Sequence, residues 1–298
     1  MTLTRRVVTS LALWLATQRR GRAAPPPEAL AYLADPVFQP HDGPRGKVEH
    51  FVFDASRIFA GYRHWCAIYL PNRQFVSRAP ALMVFQDGPH FAGATGDWRT
   101  PYVLDNLIAS GAVPPMVGVF VSAGFVPGLP RGSREAHDSV TRERSVEYDT
   151  LSNAYGDFLL NELLPLAAGY GTWSDDPELH GIGGHSSGAI CAFTVAWNRP
   201  DRFRKVYSAN GSFTNIRGGG KYPDIVARGP KRPLRVYQWS DTHDMSRPDW
   251  GDWASANKAM AAALEAAGYD HKFEFGEGTH NPIYAAARFP EALKWLWR

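Results

Sequence analysis

The chain has 298 residues, 44% of them hydrophobic, 13% aromatic and 20% charged, enough apolar material for a sizeable core. Its formal charge of +3 is concentrated in the first 24 residues, which hold five arginines and no acid; the remainder sets 27 basic against 29 acidic groups, about −2. That balance speaks against nucleic acid or an anionic membrane surface as partner, and no run reaches the roughly 20 apolar residues of a spanning helix.

The segment "MTLTRRVVTSLALWLATQRRGRAA" has a basic start, an apolar run from Val7 to Ala16 and small residues at Ala23 and Ala24. This layout predicts an export signal over residues 1–24, with Arg5-Arg6 pointing to the twin-arginine type, and so a periplasmic or secreted protein. A basic tail on a cytoplasmic protein is the alternative, because Arg19, Arg20 and Arg22 crowd the cleavage region. "APPPE" (24–28) reads as a stiff linker, and residues 25–298 as one α/β domain.

"KVEHFVF" (47–53) and "YRHWCAIYLP" (62–71) predict neighbouring antiparallel strands. "ALMVFQDG" (81–88) and "PMVGVFVSAG" (115–124) are near-continuous apolar runs, as expected of strands covered on both faces. "PYVLDNLIASG" (101–111) between them has helical spacing and a terminal glycine. The polar stretch 125–147 reads as a loop. "YDTLSNAYGDFLLNELLPLAAGYG" (148–171) reads as one helix, with Phe158, Leu159, Glu162, Leu163 and Leu166 in step.

Next come a strand, "ELHGIGG" (178–184), and a helix, "SGAICAFTVAWNRP" (187–200), stopped by proline. Three further strands are expected in "KVYSANGS" (205–212), "RPLRVYQWSD" (232–241) and "YDHKFEFGEG" (269–278). An alanine-rich helix, "SANKAMAAALEAAG" (255–268), lies between the last two, and 283–298 forms a final helix. Strands alternating with helices imply a mostly parallel central sheet with helices on both faces. Cys66 and Cys191 fall in different apolar elements and are expected to be buried free thiols.

Gly184-His185-Ser186-Ser187-Gly188 fits G-x-S-x-G, with a strand running in and a helix running out. A serine on so tight a turn needs small residues two positions either side, which makes Ser186 the candidate nucleophile. The backbone N–H of Ser187, at the start of the following helix, is a candidate oxyanion donor. A second donor is expected from "QDGPHF": Pro89 has none, leaving Gly88 first, with His90 or Phe91 as alternatives.

Partners in this arrangement follow in the order serine, acid, histidine. His243, His271 and His280 lie downstream; His280, in a glycine-rich loop after a strand, is the candidate base. Asp241 and Asp244, both after "RVYQW", are equally spaced to orient it. Trp98, Trp239, Trp250 and Trp253 flank the expected site loops and could stack a sugar or aryl group, and Arg217 could meet an anionic one.

No metal or cofactor is called for. "HD" (41–42) and "THD" (242–244) lack the H-E-x-x-H spacing, and "RGGGK" (217–221) lacks the Ser or Thr of a P-loop.

Taken together, "LMVFQDG", "RSVEYDTLSNAYGDFLLNELLP", "GGHSSGAICAFTVAWNRPDRFRKV", "GSFTNIRGG", "GDWASANKAMAAALEAAGYDHKFEFGEGTHN" and "ALKWLWR" resemble the esterase D and enterochelin esterase-like branch of the α/β-hydrolases. That branch also includes feruloyl and acetyl xylan esterases, S-formylglutathione hydrolases and mycolyltransferases. The resemblance implies an α/β-hydrolase fold, Ser186 as nucleophile and His280 as base. It also implies Asp244 as acid, since "DTHD" overlays the family's G-T-N-D-like turn, although Asp241 stands where that turn has glycine. The implied activity is hydrolysis of a small-molecule or carbohydrate ester, sugar, aryl or siderophore; acyl transfer and non-catalytic ligand binding are the alternatives.

Overall fold

The computed structural model describes residues 26–130 and 132–298; the expected export leader lies outside the described residues. Strands β1 (Lys47–Phe53) and β2 (His64–Leu70) pair antiparallel, Lys47 opposite Leu70 and Phe53 opposite His64. Then come β3 (Ala81–Gln86), a short helix α1 (Gly88–Ala92), α2 (Thr100–Ala109) and β4 (Met116–Val121). Helices α3 (Arg134–Asp149), α4 (Ala154–Phe158) and α5 (Leu164–Ala167) follow, the last two joined by a π-helical turn, Leu159–Leu163.

The second half carries β5 (His180–His185), α6 (Ser187–Asn198), β6 (Lys205–Ala209), α7 (Tyr222–Arg228) and β7 (Arg235–His243). A small hairpin of β8 (Ser246–Arg247) and β9 (Gly251–Asp252), then α8 (Trp253–Ala266), β10 (Asp270–Thr279) and α9 (Pro282–Leu296), completes it.

The main sheet runs β1-β2-β4-β3-β5-β6-β7-β10. Strand β2 is antiparallel to both neighbours, and from β4 through β10 every pairing is parallel. Parallel strands need a crossover, and the helices that supply it cover both faces. Alternation along β3 shows the result. Leu82 and Val84 join the core beneath α6, with Ile190 and Phe193, while Met83 and Phe85 join the opposite core, with Phe289 and Leu293 of α9. Cys66 and Cys191 are buried and free, and burial pushes both thiols up. Among the described residues no helix is long and apolar enough to cross a membrane.

The main departure from the sequence reading is α3, which occupies much of the expected loop. Ser133 caps it by accepting from Ala136 N–H at 3.1 Å. Its buried stripe is polar: Ser139, Glu143 and Glu147 recur every fourth residue and face inward. Glu147 is satisfied there by His64 Nε2 at 3.1 Å and by Gly124 N–H at 3.1 Å. A hydrophobic-periodicity test cannot see a helix whose inner face is carboxylate. The expected 148–171 helix is accordingly split: Tyr148 and Asp149 end α3, and a new helix begins at Ala154.

Candidate active site

Because β5, β6, β7 and β10 run parallel, their carboxyl ends open on one edge, and the loops leaving them meet there. Ser186 is the hinge between β5 and α6, with φ 60° and ψ −122°, a conformation that costs a non-glycine residue. Backbone bonds hold it: its N–H donates to Ala209 O at 2.9 Å, and its own O accepts from Ser212 N–H at 3.2 Å. The flanking glycines are a steric requirement. A Cβ on Gly184 would stand 2.5 Å from the Gly188 carbonyl carbon, and one on Gly188 would press on Gln86 Cβ and Asp87 Oδ2 at 3.2 Å.

Ser186 Oγ lies 2.8 Å from His280 Nε2, and His280 Nδ1 lies 2.5 Å from Asp244 Oδ1. His280 is reached through a register shift between Gly276 and Thr279, where β10 comes off β7. Asp244 is supplied with donors on both oxygens. Besides His280 it accepts from Met245 N–H (2.7 Å), Asn210 Nδ2 (2.8 Å) and Ser240 Oγ (2.9 Å). Burial works against its ionisation, yet the bonds and charge from His280, with the other donors, outweigh it and hold the carboxyl below its ordinary range.

Asp241, equal to Asp244 by spacing, does not meet the imidazole. It accepts from Asn210 Nδ2 (2.8 Å) and Trp239 Nε1 (3.2 Å) instead. The other downstream histidines are elsewhere. His243 pairs with Glu277 at 3.0 Å, both exposed, and His271 sits on β10 against Gln238, pushed down to about 4 by burial.

On the opposite side of Ser186, Gly88 opens α1 directly after Asp87, which takes a left-handed φ of 56°. Only glycine fits there, since a Cβ would stand 2.4 Å from Val121 N. Arg144 of α3 clasps the Asp87 carboxylate through two bonds, 2.8 and 2.6 Å, and donates to His185 O at 3.3 Å. One guanidinium thus ties the Gly88 loop to the residue before Ser186. Tyr148 Oη accepts from Asp87 N–H at 3.2 Å, and the hydroxyls of Ser187 and Ser145 face Asp149. Ser187 begins α6, where helical N–H groups lack intrahelical partners and the helix dipole favours negative charge.

The tryptophans divide by burial. Trp98 is 1% exposed and stacked on Phe91 at 4.4 Å. Trp239 is 7% exposed and bonded to Asp241. Both belong to the core in place of the expected loop surface, and neither presents a ring face to a ligand. Trp253 is fully buried: its Nε1 donates to Ser212 Oγ at 3.1 Å, and its ring meets His280 edge-on at 5.7 Å. Trp250, at the tip of the β8–β9 hairpin, is 43% exposed and 6.4 Å from Trp253. Arg217 is exposed and donates to Ser145 Oγ at 3.2 Å. Among the described residues no group of three or more His, Cys, Asp and Glu side chains is placed to hold a metal ion.

Residues 61–296 match the family model described as "Putative esterase". The chain belongs to this esterase family. Iron(III) enterobactin esterase of Dickeya dadantii (strain 3937) is 26% identical over 247 residues, 74% of this chain and 49% of that protein, so the chain spans about half the length of this relative. Enterobactin esterase FES from Shigella flexneri, solved in the presence of 2,3-di-hydroxy-N-benzoyl-serine, superposes with a TM-score of 0.67. It is 21% identical, over 88% of this chain and 62% of that one. The feruloyl esterase module from Clostridium thermocellum, complexed with sinapinate, gives 0.60 at 14% identity over 92% of both chains. These likenesses show the α/β-hydrolase fold.

Four residues at this edge were not singled out from sequence. Asn210, Ser212 and Ser240 surround the serine, histidine and aspartate, and Arg144 ties Asp87 to His185. Asn210 left one signal: an Asn-Gly pair late in the expected strand 205–212 suits a turn and a left-handed position; the strand ends at Ala209 and the φ of Asn210 is 49°.

Proposed function

We propose that the protein is a serine esterase, in which Ser186, His280 and Asp244 act as nucleophile, base and acid of a triad. The observation that carries this is the hydrogen-bonded series from hydroxyl to imidazole to carboxylate, 2.8 and 2.5 Å, at the open edge of the sheet. Nε2 of His280 takes the Ser186 proton as Oγ attacks the ester carbonyl, and Asp244 holds the ring's orientation through Nδ1 and stabilises the imidazolium. The oxyanion is met by backbone N–H groups of Ser187 and Gly88, with the α6 dipole behind it. His280 returns its proton to the leaving alcohol, water attacks the acyl-serine, and the free acid departs.

The substrate we favour is an ester of an aryl acid. Trp250 is the exposed ring one aromatic neighbour away from His280, suited to stacking an aryl group. The compounds named with the two solved neighbours, 2,3-di-hydroxy-N-benzoyl-serine and sinapinate, are aryl carboxyl compounds. The leader pattern of residues 1–24 supports a reaction outside the cytoplasm, which the amino-terminal sequence of protein from the periplasmic fraction checks. The function is tested with aryl, feruloyl, acetyl-sugar and catecholate-siderophore esters. Ser186→Ala is expected to lower kcat by ~10⁴-fold or more while leaving binding intact, and a serine-directed phosphonate to label Ser186. Undiminished hydrolysis by the Ala variant overturns the assignment.

A further inference from the structure

Two buried carboxyl groups sit behind His280, and they are not equally equipped. Asp244 receives four donors spread over both oxygens. Asp241 is 0% exposed; Oδ2 accepts two bonds, and Oδ1 is buried with no partner. Gly278 of β10 closes over that oxygen so tightly that a Cβ there would come within 2.3 Å. The two carboxyls are joined by one group: Asn210 Nδ2 gives one proton to Asp241 Oδ2 and the other to Asp244 Oδ2, both at 2.8 Å. Asn210 is locked by its left-handed φ of 49° and by complete burial.

We propose that Asp241 is a positioning residue held as a neutral carboxylic acid, which through the shared Asn210 amide leaves Asp244 to carry the negative charge behind His280. The physical reason is the donor set. An ionised carboxyl with one bare oxygen in a dry site is costly, and two ionised carboxyls on one amide repel. The cheaper distribution puts the proton on the poorly served acid and the charge on the well served one, as in sites where neighbouring carboxyls are pushed apart. The other groups around Asp241 are His243 on β7, Glu277 on β10, Tyr207 on β6 and Tyr284 on α9. Glu277 is exposed and engaged with His243, and its charge, like that of Asp244, opposes ionisation of Asp241. Burial, reinforced by those two carboxylates and only partly offset by the Asn210 and Trp239 bonds, pushes Asp241 up to about 7. When Asp241 does ionise, a second negative charge appears behind the imidazole and the bridging amide must be shared between two anions.

This inference rests on the triad reading for its consequence, but its test does not need turnover. In protein ¹³C-labelled at the aspartate carboxyls, with Ser186→Ala examined in parallel, one resonance is expected to titrate with a midpoint of about 7. It should vanish in Asp241→Asn, which copies the shape of the neutral acid. Trp239→Phe, which removes one of the two donors, should raise the midpoint further. The low-field proton on His280 Nδ1 should shift with the same midpoint in the parent and lose that step in Asp241→Asn. A carboxyl set titrating wholly below about pH 5, a neutral-range resonance surviving in Asp241→Asn, or a His280 proton without a step at that midpoint would each overturn the proposal.

Discussion

The two halves of the site are built by different means. On the Ser186 side the geometry is local: Gly184 and Gly188 lie within two residues of Ser186, and their lack of side chains permits the turn. On the acid–base side it is distant. His280 and Asp244 are 36 positions apart, Asn210 is 34 from Asp244, and the imidazole reaches Ser186 across 94. A local device tolerates no substitution and shows in a motif. A distributed one spreads its effect over several side chains, each of which can be weakened by degrees.

The comparison breaks most sharply at Gly184. Gly184→Ala forces a Cβ against the Gly188 backbone, so activity should fall by ~10³-fold and stability by roughly 3 kcal/mol, read by ester turnover and urea unfolding. On the distributed side, Asn210→Gly keeps the left-handed backbone and removes the bridging amide. Loss of a bond to a charged group is worth about 1.5–3 kcal/mol, so kcat should drop roughly 10- to 100-fold with KM little changed. Arg144→Met loosens the Gly88 loop from the nucleophile turn. Because Arg144 and Asp87 keep 26% and 16% side-chain exposure, a loss of about 2 kcal/mol in stability and about tenfold in kcat is expected, less than for a sealed pair.

The effect smallest in activity is a pH dependence that separates the two acids. Asp241 is raised to about 7 in the folded protein, against an unfolded value near 4. Between these values the folded chain keeps a proton that the unfolded chain has lost. Stability therefore declines as pH rises through that window, by roughly 2–4 kcal/mol, and is flat above it. Asp241→Asn should remove the slope in unfolding experiments from pH 4 to 8. Asp244, held below its ordinary range, has the opposite sign: its contribution is present above the unfolded value and is lost as pH falls below it.

Much of the sheet could be read directly from composition along the chain. Strands such as Ala81–Gln86 and Met116–Val121 are buried at every position, so an unbroken apolar run marks them. The turn at Ser186 was equally legible because its constraint is steric and falls within five residues. The polar inner face of α3 hid that helix, and the short α7 and the β8–β9 hairpin were not anticipated. Trp98 and Trp239 show the same limit from the other side: a tryptophan near a site loop carries no sign of which way it faces.

What the amino-acid order determined on its own was the fold class, the place of the tight turn at Ser186 and the short set of acids and histidines able to reach it, since these follow from sterics and apolar periodicity over a few residues. Only the packed sheet showed that the imidazole of His280 meets Asp244 and not Asp241. The better served carboxyl is the one that meets more hydrogen-bond donors in a buried space, and those donors come from Asn210, Ser240, Met245 and His280, brought together at the parallel ends of β6, β7 and β10.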